Sequence, residues 1–180
     1  MKKITVFIGA LSFMISSFGQ DIKVPVNTQF KKVIDYETYK DSMVMVANWM
    51  INSPITKDRE KRDAANKFVL SWISGISSTH FNVRQDFKNE ITKDKSNFYS
   101  TDLFMDYIAG MVLFKINNDR ADEFETQEAG IKALMQGYES VENFCTVKFI
   151  EMLNKQEKIG KLSEWIKANA VKSEPKDKTE

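Results

Sequence analysis

One cysteine and one histidine, Cys145 and His80, stand in 180 residues. A single cysteine excludes an intramolecular disulfide. It lies in Phe144-Cys145-Thr146-Val147, an apolar setting that suits a small packed side chain better than a reactive thiol. One histidine without cysteine or histidine neighbours at ligand spacing cannot build the usual zinc site. Nine methionines raise a copper(I) reading, because thioethers suit that soft ion. Met43 and Met45, however, fall about 200° apart around a helix axis, and Met43 and Met50 share what reads as a core face. Neither a metal site nor a cofactor is therefore expected.

Proline and glycine are also scarce, at three and seven residues. Long stretches without breakers favour helices over a turn-rich β architecture. Gly75, Gly110, Gly130, Gly137 and Gly160 stand apart from one another, so no phosphate-cradling loop is present. Charge of one sign is missing too: 26 basic residues face 25 acidic ones. That balance argues against nucleic acid as the partner, which needs a basic excess or stripe. Beyond the N-terminus no segment stays apolar long enough to span a membrane.

What is present begins with Lys2 and Lys3, an apolar run from Ile4 to Ile15, and the small residues Ser17 and Gly19 before Gln20. This charged, apolar, small-residue order is that of a cleavable signal peptide over residues 1–19, which implies an exported protein, periplasmic or extracellular. The mature chain would keep 161 residues and a formal charge of −1, enough for one domain with its own core.

The expected fold is all-α: a compact bundle of five to seven helices following the signal peptide. Residues 20–34 read as an extended arm around Val24-Pro25-Val26, with Phe30, Val33 and Ile34 available to pin it. Residues 35–171 read as a single helical domain and 172–180 as a disordered, charged tail. Apolar residues at three- and four-residue spacing predict a first helix from Asp35 or Tyr36 to about Ile51. The second starts near Thr56 or Asp58 and buries Ala65, Phe68, Val69, Trp72 and Ile73. Arg59, Lys61, Arg62 and Asp63 form its wet side, and Gly75 is its left-handed terminator. Asn82 and Gln85 resemble a capping box for a short third helix. The fourth, about Tyr99 to Ile116, is apolar nearly all round and belongs at the centre, with Ala109-Gly110 a flat place for another backbone. A fifth spans about Ala121 to Val141. A sixth carries Phe144, Val147, Phe149, Met152 and Leu153, continuing the fifth through a kink, and a short last one carries Leu162, Trp165 and Ile166.

Candidate chemistry is sparse. His80 and Cys145 would need a third residue to form a nucleophile pair. The serines around His80 lie in no Gly-x-Ser-x-Gly pattern. Asp102 and Asp106 share a helical face and could form a glycosidase-type pair, but acids near helix starts usually cap or face water. Trp49, Trp72 and Trp165 could line a ligand groove. The candidate ligand-binding residues are therefore His80, Trp72 and Trp49, with no catalytic residue assigned.

The segments Phe68-Val-Leu-Ser-Trp72-Ile-Ser-Gly75, Leu103-Phe-Met-Asp-Tyr107-Ile-Ala-Gly110 and Glu128-Ala-Gly130-Ile-Lys-Ala-Leu134 resemble those of small exported helical proteins of unknown function in Bacteroidota-type bacteria. A weaker similarity is to periplasmic immunity proteins of the Rap1a type, which are short, signal-bearing and helical; those carry paired cysteines where this chain has only Cys145. The resemblance implies an inhibitor or immunity role. Together these features point to a non-enzymatic protein that binds a protein or envelope component. The competing class is an enzyme or small-ligand carrier with a cleft near His80.

Overall fold

Seven helices occupy the described residues, with no strand: α1 (Val33–Asn52), α2 (Arg59–Gly75), α3 (Gln85–Ile91), α4 (Ser100–Asn117), α5 (Glu123–Glu139), α6 (Lys148–Lys158) and α7 (Leu162–Asn169). The computed structural model describes residues 22–75, 81–93 and 97–171. The leader expected at 1–19, His80 and the tail at 172–180 lie outside the described residues. No helix among the described residues is long and apolar enough to cross a membrane.

As its composition requires, α4 is the central element. Every residue from Asp102 to Val112 is buried, and α1, α2, α3 and α5 all pack against it. Its closest neighbour is α5, because glycine on each helix admits the other backbone. A Cβ on Gly110 would stand 2.6 Å from Ala133 Cβ and 2.7 Å from the Ala129 carbonyl oxygen. On the other helix, a Cβ on Gly130 would stand 2.6 Å from Met111 Cγ and 2.8 Å from the Tyr107 carbonyl oxygen. The flat place expected at Ala109-Gly110 is thus one half of a reciprocal seam.

Local capping sets several boundaries. The Asp35 carboxylate folds back to accept the Lys31 and Lys32 amides at 2.9 and 2.8 Å; these bonds hold its pKa below the usual 3.8. The helix therefore starts at Val33 rather than Asp35. Val33 and Ile34 fall in its exposed first turn, and Phe30 alone of the three expected pins buries itself. Phe30 stacks on Tyr36 and Trp72 and meets Tyr39 and Phe68. Asp122 and Glu125 cap α5 reciprocally, at 2.8 and 3.1 Å.

Three local expectations need correction. Gly75 is the last helical residue and not left-handed: a side chain there would strike the Tyr36 hydroxyl and the Phe30 carbonyl. Among the described glycines the left-handed one is Gly160 (φ 70°), where the Lys161 amide closes onto the Gln156 carbonyl after α6. At α3 no side-chain cap forms, since the Asn82 segment is tied instead to α5 through Gln127 Nε2, which donates to the Asn82 carbonyl at 2.8 Å. Finally, α5 does not kink into α6. It ends at Glu139 in a turn closed by the Val141 and Phe144 amides, and this leaves Phe144 exposed.

The seam makes a prediction. Gly130→Ala should gain up to about 1 kcal/mol of helix propensity, yet lose about 1–3 kcal/mol net because the Tyr107 backbone cannot retreat. Urea unfolding of both chains measures this. A neutral result would mean that α4 and α5 separate freely.

Candidate functional site

The largest departure from the sequence-based expectation is a charged cluster inside the bundle. Arg59, Arg62 and Asn66 project from one face of α2, at spacings of three and four residues. They meet Asp102 and Asp106, one turn apart on α4. Arg62, expected on the wet side, is fully buried, as are both aspartates. Arg62 Nη1 donates to Asp106 Oδ1 at 2.8 Å, and its Nη2 donates to the Met50 and Ser53 carbonyls at 2.9 and 2.7 Å. Asp102 accepts from Arg59 and, at 2.8 Å, from Asn66 Nδ2. The Arg62 guanidinium also lies over the Trp49 ring, 5.5 Å from its centre.

This arrangement corrects the expectation that Asp102 and Asp106 are solvated or capping acids. It also removes them from glycoside chemistry, which needs two carboxyls facing an open cleft. Asp106 faces Arg62 in the interior, and Asp102 is closed over by the half-exposed Arg59. The second oxygen of Asp106 has no partner among the described residues and lies against Gly137, where any Cβ would displace it. Burial pushes the Asp106 carboxyl up from 3.8 to about 7, with Arg62 pulling the other way.

The aromatic candidates are separated. Trp49, nearly buried, lines a cavity of about 350 Å³ with Ile22, Val44 and Met45. Trp72 lines a different one, of about 180 Å³, with Tyr36 and Phe81, and its buried indole N–H has no acceptor among the described residues. Trp165 packs on Phe87 and Phe149. The three tryptophans therefore line no common groove. Cys145 is half-buried and in no disulfide, its sulfur 3.6 Å from the Val141 carbonyl. No group of three or more potential metal ligands occurs among the described residues.

The surface carries a feature that periodicity does not show. Among the described residues the only exposed phenylalanines are Phe98 and Phe144, at 88% and 70% exposure. Tyr99 joins them, adjacent to Phe98 in the chain and 6.4 Å from Phe144 between ring centres. Both positions are forced outward by their turns. Asn97, buried, accepts the Tyr99 amide on its side-chain oxygen at 2.9 Å, an Asx turn with Phe98 at its apex. Phe144, expected on the inner stripe of a sixth helix, instead closes the turn after α5.

No family model, curated protein or solved structure matches the chain.

Two outcomes test the buried cluster. Arg62→Met should destabilise the fold by about 3–5 kcal/mol by stranding Asp106, and adding Asp106→Leu should recover most of the loss. Denaturant melts of the two variants decide it, since equal losses would mean the pair is not coupled. The second test concerns pH. A carboxyl raised on folding contributes stability below its unfolded pKa that is lost as pH rises through the folded value. Relative to Asp106→Asn, the wild-type chain should therefore lose stability between about pH 4 and 7, by at most about 1.4 kcal/mol per pH unit. Parallel stability curves would show that Asp106 is already ionised at pH 4.

Proposed function

We propose that this is an exported, non-enzymatic binding protein of the cell envelope, periplasmic or extracellular, whose exposed aromatic end meets a protein partner. The carrying observation is the grouping of Phe98, Tyr99 and Phe144 at one place on a surface that buries its other described phenylalanines wholly or in part. Clustered exposed apolar side chains mark interaction sites, and binding energy concentrates in a few large aromatic side chains that leave water together. Export rests on the charged, apolar, small-residue order of residues 1–19. The enzyme reading loses its best pair of acids, which are buried and paired with Arg59 and Arg62. An inhibitor or immunity role is the concrete form that the resemblance to periplasmic immunity proteins suggests.

A C-terminally tagged chain, lightly crosslinked in a host envelope, should recover one protein at near-equal stoichiometry. Phe98→Ser with Phe144→Ser should lose that protein while shifting stability by no more than about 0.5 kcal/mol, since both side chains are exposed. Retention of the partner by the double variant would overturn the assignment of this surface. The secreted form should begin at Gln20; a cytoplasmic chain still carrying residues 1–19 would overturn export.

A further inference from the structure

The cavity of about 180 Å³ beside Trp72 lies where the start of α1 meets the ends of α2 and α4. Trp72, Phe81, Val112 and Ile116 line it with apolar surface. Trp72 is only 5% exposed, and its indole N–H has no acceptor among the described residues. A buried donor left unmet is costly, and most such groups in folded proteins do find a partner. The rim carries charge of both signs. Glu37 and Lys40 come from α1, Lys115 from the last turn of α4, and Asp119 from just beyond it. Glu37 and Lys40 stand at a three-residue spacing that commonly pairs such groups on a helix, yet they do not pair. Glu37, Lys40 and Asp119 make no ion pair or side-chain hydrogen bond among the described residues, and Lys115 donates instead to the Ala121 carbonyl at 2.8 Å.

We infer that this cavity binds a free apolar α-amino acid. Its side chain lies against Phe81, Val112 and Ile116, its carboxylate meets the Trp72 N–H and Lys40, and its ammonium meets Glu37 and Asp119. The charge pattern selects a zwitterion. A simple anion would face two acids and a simple cation two lysines, whereas a ligand carrying both charges satisfies each sign. A carboxylate is also the acceptor that the Trp72 donor lacks, and hydrogen bonds to a charged group are the stronger kind. Size limits the ligand to one residue. An apolar cavity of about 150 Å³ takes a single benzene molecule, while drug-sized ligands occupy about 300–1,000 Å³. The volume here therefore admits one branched or aromatic side chain and excludes a peptide or a lipid chain. Because Glu37, Lys40 and Asp119 are exposed, their charges set selectivity more than strength; the buried donor and the apolar wall supply the affinity.

The site is independent of the aromatic end, and the experiment keeps the two apart. L-leucine, L-isoleucine, L-methionine and L-phenylalanine are titrated separately into the intact secreted chain labelled with nitrogen-15. The indole N–H resonance of Trp72, assigned by its loss in Trp72→Phe, is followed. Expected is a saturable shift of that resonance with at least one of the four, while the indole signals of Trp49 and Trp165 stay in place. Isocaproate, which lacks the ammonium of leucine, and isoamylamine, which lacks its carboxylate, should each bind at least about tenfold more weakly than leucine. Trp72→Phe keeps a ring and removes the donor, and calorimetry should show binding weakened by about tenfold or more. Lys40→Met, at an exposed and unpaired position that the fold does not need, should weaken it by about two- to fivefold. Phe98→Ser with Phe144→Ser should leave it unchanged. No shift of the Trp72 signal with any of the four up to their solubility, or binding indifferent to Trp72→Phe, would overturn the site. Equal binding of isocaproate or isoamylamine would overturn the zwitterion.

Discussion

The guanidinium of Arg62 is the constraint around which the bundle is arranged. A cation without solvent contact needs acceptors, and two parts of the chain supply them to its Nη groups: Asp106 on α4 and the Met50 and Ser53 carbonyls at the end of α1. Those two carbonyls are exposed by the ending of α1, where the last turn has no intrahelical donor. The charge on α2 thus closes the C-terminus of one helix while pairing with a third. Replacing a buried ion pair with apolar residues is often neutral or stabilising, whereas breaking one side alone is costly. What the cluster supplies is therefore register: α2 cannot slide by a turn against α1 or α4 without stranding a charge.

The other side of α4 is fixed by shape instead of charge. Gly110 and Gly130 each face the opposite helix, so the two backbones approach more closely than side chains would allow. Gly137 continues this logic one level on, because the bare position on α5 makes room for the carboxylate of Asp106. Glycine on α5 and arginine on α2 thus hold the same aspartate from opposite sides. The central helix is polar toward α2 and closely fitted toward α5, which explains how a helix apolar nearly all round can still have a single orientation.

Much of this is legible in the residues. Periodicity places the helices, and the nearly all-round apolar surface of Leu103 to Ile116 puts α4 at the centre. The charged core is not legible, because charge in a sequence ordinarily marks water. Two local signals do point to it: Asp106 lies between Met105 and Tyr107 in the most apolar helix, and Arg62 falls three residues before Ala65, on the buried stripe of α2. The two partners are 44 residues apart, and a single sequence carries no record of that contact. Phe98 and Phe144 escape for the opposite reason, since apolarity ordinarily marks burial. Their exposure is decided by turn chemistry, an Asx turn at Asn97 and the end of α5, and not by helical spacing. The spacing of Trp49 and Trp72 does place them on the core faces of their helices, but the separation of their cavities depends on how α1 and α2 cross.

The interior chemistry bears on the surface through Arg59. Its side chain is half-exposed and pairs with Asp102 inside the bundle and, at 3.2 Å, with Asp63 one turn further along α2. Tyr99 is close enough to act on its charge. One residue at the start of α2 is therefore anchored from below by a fully buried carboxylate while its other side faces solvent. A solvent-facing ion pair alone contributes little and is easily rearranged. A guanidinium held from the core is different, because the buried partner fixes where the exposed part can point. The buried cluster thus does at the rim what Arg62 does inside: it turns a flexible cation into a fixed point on the surface.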